Sequence, residues 1–516
     1  MNRAEKPFAL PLRLILTVVL LATLWPLVAV AQDPQSSKQS EAPAQAQPEP
    51  TKPIPPPEQP PQGEVKITPR QAEELFHSVD EILEFDGKQT GLPIKKEVKR
   101  RLTSRNQVES YLTGHLNDED TKRLRRSELV LEKFGLLPPG FDLETFLVAL
   151  LKEEVAGYYD PKTKTVNLLD WVPMEEQEPV MAHELTHALQ DQDVGLQKWM
   201  KKGDKDLGEI KHNPTPQEIQ DDEIDNAREA VIEGQAQAMM FQYAIAPTGH
   251  TITNSPALVG AMEDETLTGT AGTKVFNSAP IFMKESLTFP YSYGMDFVIK
   301  VMEAGGKDRA FDGVLRNPPH TTRQIMQPEM YLSGEKIEPM RVPDFKQDFK
   351  SYQKFDIGAM GEFDVAVLMD QYVGRPLSKR MYPEWRGGYY YAAKPKAIAK
   401  EGPTPGATLG LLYVSRWSGP PAAEEFAGIY AQSLKQRYKQ VSEVGDAPAI
   451  PPAAQEAEAE KDQSPPWLKG RHSWKTEDGA VVIEQHGDTV LVSESLDAET
   501  TAILEKEVFG ALAETQ

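Results

Sequence analysis

Cysteine is absent from this chain of 516 residues. That excludes disulfide scaffolds, thiol nucleophiles, iron–sulfur clusters and every thiolate metal site. A transition metal, if bound, must be held by histidines and carboxylates. Histidine is itself scarce, at nine residues, and bases are in the minority, 56 Lys+Arg against 78 Asp+Glu, for a formal charge of -22. A surface of that sign repels phosphate backbones and argues against nucleic acid as a main partner. Long apolar runs are few. The stretch 14–30 is broken by Pro26 and is short for a membrane span. What is present suffices for a core: 39% of residues are hydrophobic, and the length allows two or three domains.

The two ends of the chain carry organisational signals. Arg3, Lys6 and Arg13 lead into the apolar run, and Ala29-Val30-Ala31 is a small-x-small cleavage site. Residues 1–31 therefore read as an export signal removed before Gln32, with an uncleaved anchor as the competing reading. The expected location is periplasmic or extracellular, with no stable membrane span after cleavage. Residues 32–68 are Pro/Gln-rich and read as an extended tether. A second Pro-, Ala- and Glu-rich stretch, 446–466, reads as a long loop or hinge.

Thr68-Pro69 with Gln71 is a helix-start signature, and the pattern from there to about Lys152 is helical. The Lys/Arg-rich segments 96–101 and 122–126 are expected on solvated faces of those helices. Residues 157–169 read as a hairpin around Asp160-Pro161. Beyond about 406 come a strand at 409–414, a helix at 422–438, a hairpin at 480–492 and a last helix at 498–512. The expected fold class is helix-rich α+β, with a principal domain over 69–405 and a small α+β unit over 406–516.

The most informative segment is Pro179-Val180-Met181-Ala182-His183-Glu184-Leu185-Thr186-His187. On a helix, with Pro179 in its first turn, the four-residue spacing turns His183 and His187 toward one point. Such a pair suits zinc, expected at one ion per chain, and Glu184 can act as general base and then general acid. Leu185, Ala188 and Leu189 make the surroundings apolar, so the imidazoles are expected to be buried. A third ligand must be a carboxylate on another helix. The segment 225–243 is rich in small residues and places Glu229, Glu233 and Gln237 on one face. Glu233 is the expected ligand, with Gly234 and Ala236 leaving room for the first helix. Glu229 is the alternative, and Gln237 is expected to orient a histidine ring.

His183-Glu184-x-x-His187 followed by Glu233-x-x-Ala236-Gln237 resembles the gluzincin zinc metallopeptidases. Gly157-Tyr158-Tyr159-Asp160, Pro290-Tyr291-Ser292-Tyr293-Gly294 and Pro328-Glu329-Met330-Tyr331 extend the likeness to a group of exported bacterial proteins of that type. The resemblance implies a gluzincin-like peptidase core and a substrate strand added to the edge of the 157–169 hairpin. Two positions depart from the pattern: Gln237 stands where many gluzincins have Asp, and Gln327 where the group often has His. Candidates to stabilise the transition state are Tyr291, Tyr293, His320 and Arg323.

The sequence thus points to an exported zinc metalloendopeptidase acting on peptides or proteins. A non-catalytic cell-envelope binding module with the same fold, and hydrolysis of a non-peptide amide, are the competing readings.

Overall fold

The computed structural model describes residues 66–115, 118–201, 206–261, 273–397, 406–444 and 467–513. The expected export signal, most of the tether and the 446–466 stretch lie outside them. Among the described residues no helix is long and apolar enough to cross a membrane. The architecture is mixed, helix-rich, with two separate sheets.

Helix α1 (Pro69–Thr90) starts where its local chemistry says it should. Thr68 caps it, its side chain accepting from the Gln71 N–H while the Gln71 side chain accepts from the Thr68 N–H. The 96–101 segment, expected on a helix, instead leads into strand β1 (Lys99–Thr103). Its partner is distant in sequence, which is why local periodicity misses it. Helices α2 (Asp118–Phe134) and α3 (Leu143–Glu154) follow, then β2 (Gly157–Asp160) and β3 (Thr165–Leu169). The first sheet runs β1-β3-β2, with β3 parallel to β1 and antiparallel to β2. Strand β2 is therefore an edge strand.

Helix α4 (Met174–Val194) carries the histidine motif. It begins earlier than expected, so Pro179 sits inside it rather than in the first turn. Gln177 closes the connection from β3: its amide accepts from the Leu169 N–H at 3.0 Å and donates to the Leu169 and Val172 carbonyls at 2.9 and 2.7 Å. Helix α5 (Ile224–Ile245) crosses α4, and α6 (Ile281–Asp308) crosses α5. The α5–α6 crossing is backbone on backbone: a Cβ added to Gly234 would stand 2.2 Å from Gly294 C and O. Gly234 thus makes room for α6, not for α4 as its place beside Glu233 suggests.

The second sheet takes β4 (Tyr352–Ala359), β5 (Trp385–Pro395), β6 (Gly410–Trp417), β7 (Val441–Glu443), β8 (Gly470–Thr476), β9 (Gly479–His486) and β10 (Thr489–Glu494). Their spatial order is β4-β5-β6-β10-β9-β8-β7, antiparallel throughout. The expected division at 405/406 falls inside this sheet, because β5 pairs with β6 across it. Alternation along β6 sends Leu411 and Tyr413 to the core shared with α7 (Pro420–Arg437), and Leu412 and Val414 to that shared with α8 (Ala498–Ala513). Both faces are covered.

Replacing Gly234 with Ala is expected to lower unfolding stability by about 3 kcal/mol, since neither helix backbone can yield. A denaturation midpoint equal to the parent's would contradict the close crossing.

Candidate metal centre

Helix α4 brings His183 and His187 to one side, their rings 4.7 Å apart and nearly perpendicular. From α5, Glu233 reaches both: Oε2 lies 3.2 Å from His183 Nε2, and Oε1 lies 3.5 Å from His187 Nε2. Ligand atoms of the three residues all lie within 4.8 Å of one another, and no other such group of three occurs among the described residues. All three are buried, His183 completely. The alternative ligand Glu229 is buried one turn earlier and lines a cavity of about 270 Å³ together with Tyr291. It is not part of the cluster.

Burying these groups sets their charges. Burial works against charging His187, but Glu233, with Glu184 and Gln190, outweighs it and raises the pKa to about 9. Burial would raise Glu233, but His187 and His183 pull it down to about 2. For His183 burial prevails over Glu233, and its pKa falls. The scaffold therefore presents an anionic carboxylate, a neutral imidazole and a second imidazole that must shed a proton before it can bind a cation. His187 Nε2 and Glu233 Oε1 are buried and close no hydrogen bond. Two imidazole nitrogens and a carboxylate oxygen form a donor set that zinc accepts, so the residues fit that ion.

Around the cluster, each contact can be traced. His187 Nδ1 lies 2.9 Å from Gln190 Oε1. The Gln190 amide donates to the Ile232 carbonyl at 3.0 Å and to Gln235 Oε1 at 2.9 Å, and Gln235 in turn donates to the Ala310 and Phe311 carbonyls. Gln237 faces His183 and favours its charged form, but neither His183 Nδ1 nor Gln237 Oε1 closes a hydrogen bond. The contact is loose. Sequence reasoning singled out Gln237 and overlooked Gln190, whose position three residues past His187 on the same helix was the available signal.

Glu184 points into the same interior. Its Oε2 accepts from the backbone N–H of Tyr159 on β2 at 2.6 Å, while Oε1 closes no hydrogen bond. Burial pushes its pKa up to about 7, against the pull of His187. Tyr291 comes from α6, and its ring stacks on His183 at 6.1 Å. Burial beside Glu233, Glu229 and Glu184 raises that phenol well above its ordinary value.

Tyr293, His320 and Arg323 serve elsewhere. Tyr293 lies beside Tyr382, and His320 is exposed, its N–H taken by Gln324. Arg323 is buried, its guanidinium donating to Glu335, Glu362 and the Pro383 carbonyl. Gln327 binds the same Glu362 through both oxygens at 2.7 Å.

No protein-family model and no curated protein matches the chain. Among solved structures, a protein from Chloroflexus aurantiacus, provisionally assigned as a hydrolase with a novel fold, is similar at a TM-score of 0.33 and 14% identity. The match covers 53% of this chain and 93% of that one. A likeness so distant carries no argument about activity.

Two outcomes are expected. Gln190→Ala removes the group that orients His187 and should weaken zinc binding by about 10- to 100-fold in chelator competition. Because His187 holds a proton up to about pH 9, zinc affinity should climb about tenfold per pH unit from pH 7 to 9 and then level off.

Proposed function

We propose that this chain is an exported zinc metallopeptidase of the gluzincin type, acting on peptides or proteins in the periplasm or outside the cell. The observation that carries the proposal is the buried carboxylate of Glu184 beside the His183–His187–Glu233 cluster. One of its oxygens is tethered to Tyr159 and the other is uncommitted. A purely structural metal site has no use for such a group.

His183, His187 and Glu233 would hold the ion. Zinc bound there supplies Lewis acidity, polarising a carbonyl and acidifying water. The rest falls to the chain's own side chains. With its pKa near 7, Glu184 takes a proton from the attacking water at neutral pH and returns it to the departing amine. Tyr291 stays protonated beside Glu233 and stacks on His183. The edge of β2, beside Glu184, offers backbone groups to an extended substrate. Gln237, standing where many gluzincins have Asp, adds no negative charge beside His183, which keeps the site less basic than a carboxylate there would.

The test is the purified chain loaded with zinc, assayed on a peptide mixture beside Glu184→Gln. The variant is expected to keep its zinc and to lose hydrolysis by about 10²- to 10⁴-fold. Equal cleavage by parent and variant would defeat the proposal. Zinc binding without cleavage would favour the binding module.

A further inference from the structure

Asp191 lies two helical turns beyond Glu184 on α4, buried and away from the three ligands. It collects three donors. The Tyr159 phenol reaches its Oδ2 at 2.8 Å, the Lys164 ammonium reaches the same oxygen at 2.5 Å, and the Leu196 N–H reaches Oδ1 at 3.1 Å. Two of the three come from the β2–β3 hairpin. Tyr159 is also the residue whose backbone N–H holds Glu184. One residue of the edge strand is thus fastened to α4 twice, by its backbone at Glu184 and by its side chain at Asp191.

The turn between the strands is shaped to make this possible. Lys164 has a φ of 56°, in the left-handed region that glycine or asparagine occupies more readily. A lysine there gives up local conformational preference, and what it provides is the ammonium on Asp191. Among the described residues strand β2 has β3 on one side only, and no further strand pairs with its outer edge. Its position relative to α4 rests on these polar ties and on side-chain packing, as at Gly157, where a Cβ would meet Val180 Cγ1 at 3.0 Å.

We propose that Tyr159, Lys164 and Asp191 form a positioning clamp that keeps the β2 edge on Glu184 and so sets where that carboxylate points. None of the three clamp side chains bonds the ligand cluster in the contacts above, so the clamp acts through Tyr159's own backbone N–H. Its catalytic consequence rests on the proposed peptidase reading; its mechanical claim does not.

The test uses the zinc-loaded full chain and the variants Tyr159→Phe, Asp191→Asn and Lys164→Arg. Hydrogen-exchange mass spectrometry over residues 157–169 reads the clamp itself. Exchange at the Tyr159 amide is expected to quicken about tenfold in Tyr159→Phe and Asp191→Asn, as a local opening, and to match the parent in Lys164→Arg. Zinc content should stay at the parent's level in all three. In the peptide assay kcat should fall about tenfold for the first two with KM within about twofold, the mark of a misplaced base rather than a lost substrate edge. Lys164→Arg, which keeps the cation on Asp191, should match the parent in both readings.

Unchanged exchange in both Tyr159→Phe and Asp191→Asn would overturn the clamp. Quickened exchange with unchanged kcat, or with KM rather than kcat affected, would overturn its role in placing Glu184. If the parent shows no Glu184-dependent hydrolysis, the peptidase reading fails, while the exchange result still decides the clamp. Tyr159→Phe removes a single oxygen, so a folding failure of Asp191→Asn would leave the comparison intact.

Discussion

Three titratable side chains, His183, His187 and Glu233, are withdrawn from water where α4 meets α5, and the surrounding structure follows from how they compensate one another. A lone carboxylate at that depth would take up a proton, and a lone imidazole would lose one. Together they stay poised: Glu233 remains anionic because two imidazoles face it, and His187 is charged because Glu233 faces it. The need to keep them together explains the packing beyond. Helix α5 must lie close to α4, which calls for small residues along it. Helix α6 must then lie close to α5, and at Gly234 and Gly294 the two backbones meet without side chains between them. That approach is also what delivers Tyr291 to His183 and Glu233.

What could be read from the sequence was what local chemistry determines. The cap at Thr68 and the four-residue spacing of His183 and His187 involve neighbours on one helix, and the structure has both. The face shared by Glu229, Glu233 and Gln237 was legible too. Choosing among them was a matter of helix rotation, and Glu233 is the one turned to the imidazoles. The misses are non-local. Strand β1 exists because β3, more than sixty residues on, pairs with it. The reach of the second sheet back to β4 cannot be seen from composition shifts near 405, because its edge strands are separated by helices and short turns. Arg323 looked like a donor for a cleft and proved to be buried among Glu335 and Glu362. Gln327 joins it there on Glu362, so at that position the amide completes a buried polar network.

The acidic excess of the chain has a parallel inside it. Carboxylates at Glu184, Glu223 and Glu362 are buried deeply enough to be pushed up to about 7, about 8 and about 7. Glu223, at the start of α5, accepts from Thr322 and so joins α5 to a segment after α6, while Glu362 accepts from Arg323 and Gln327 and ties together segments that all follow α6. Glu184 differs from them in having a single donor and a buried oxygen that closes no hydrogen bond. A chain that cannot cross-link itself with disulfides relies on such interior polar contacts as well as on its apolar cores.

The amides that run from His187 through Gln190 and Gln235 to residues 310 and 311 have a direction. Their far end is two backbone carbonyls, which can only accept. Gln235 must therefore turn its NH₂ outward and its oxygen back, and Gln190 must do the same. The oxygen that finally meets His187 Nδ1 leaves that nitrogen no choice but to carry hydrogen, so the lone pair of the neutral ring can reside only on Nε2. The tautomer of a histidine on α4 is thus written into the backbone more than a hundred residues away. Those carbonyls, which touch nothing reactive, act as the polarity reference for the whole centre.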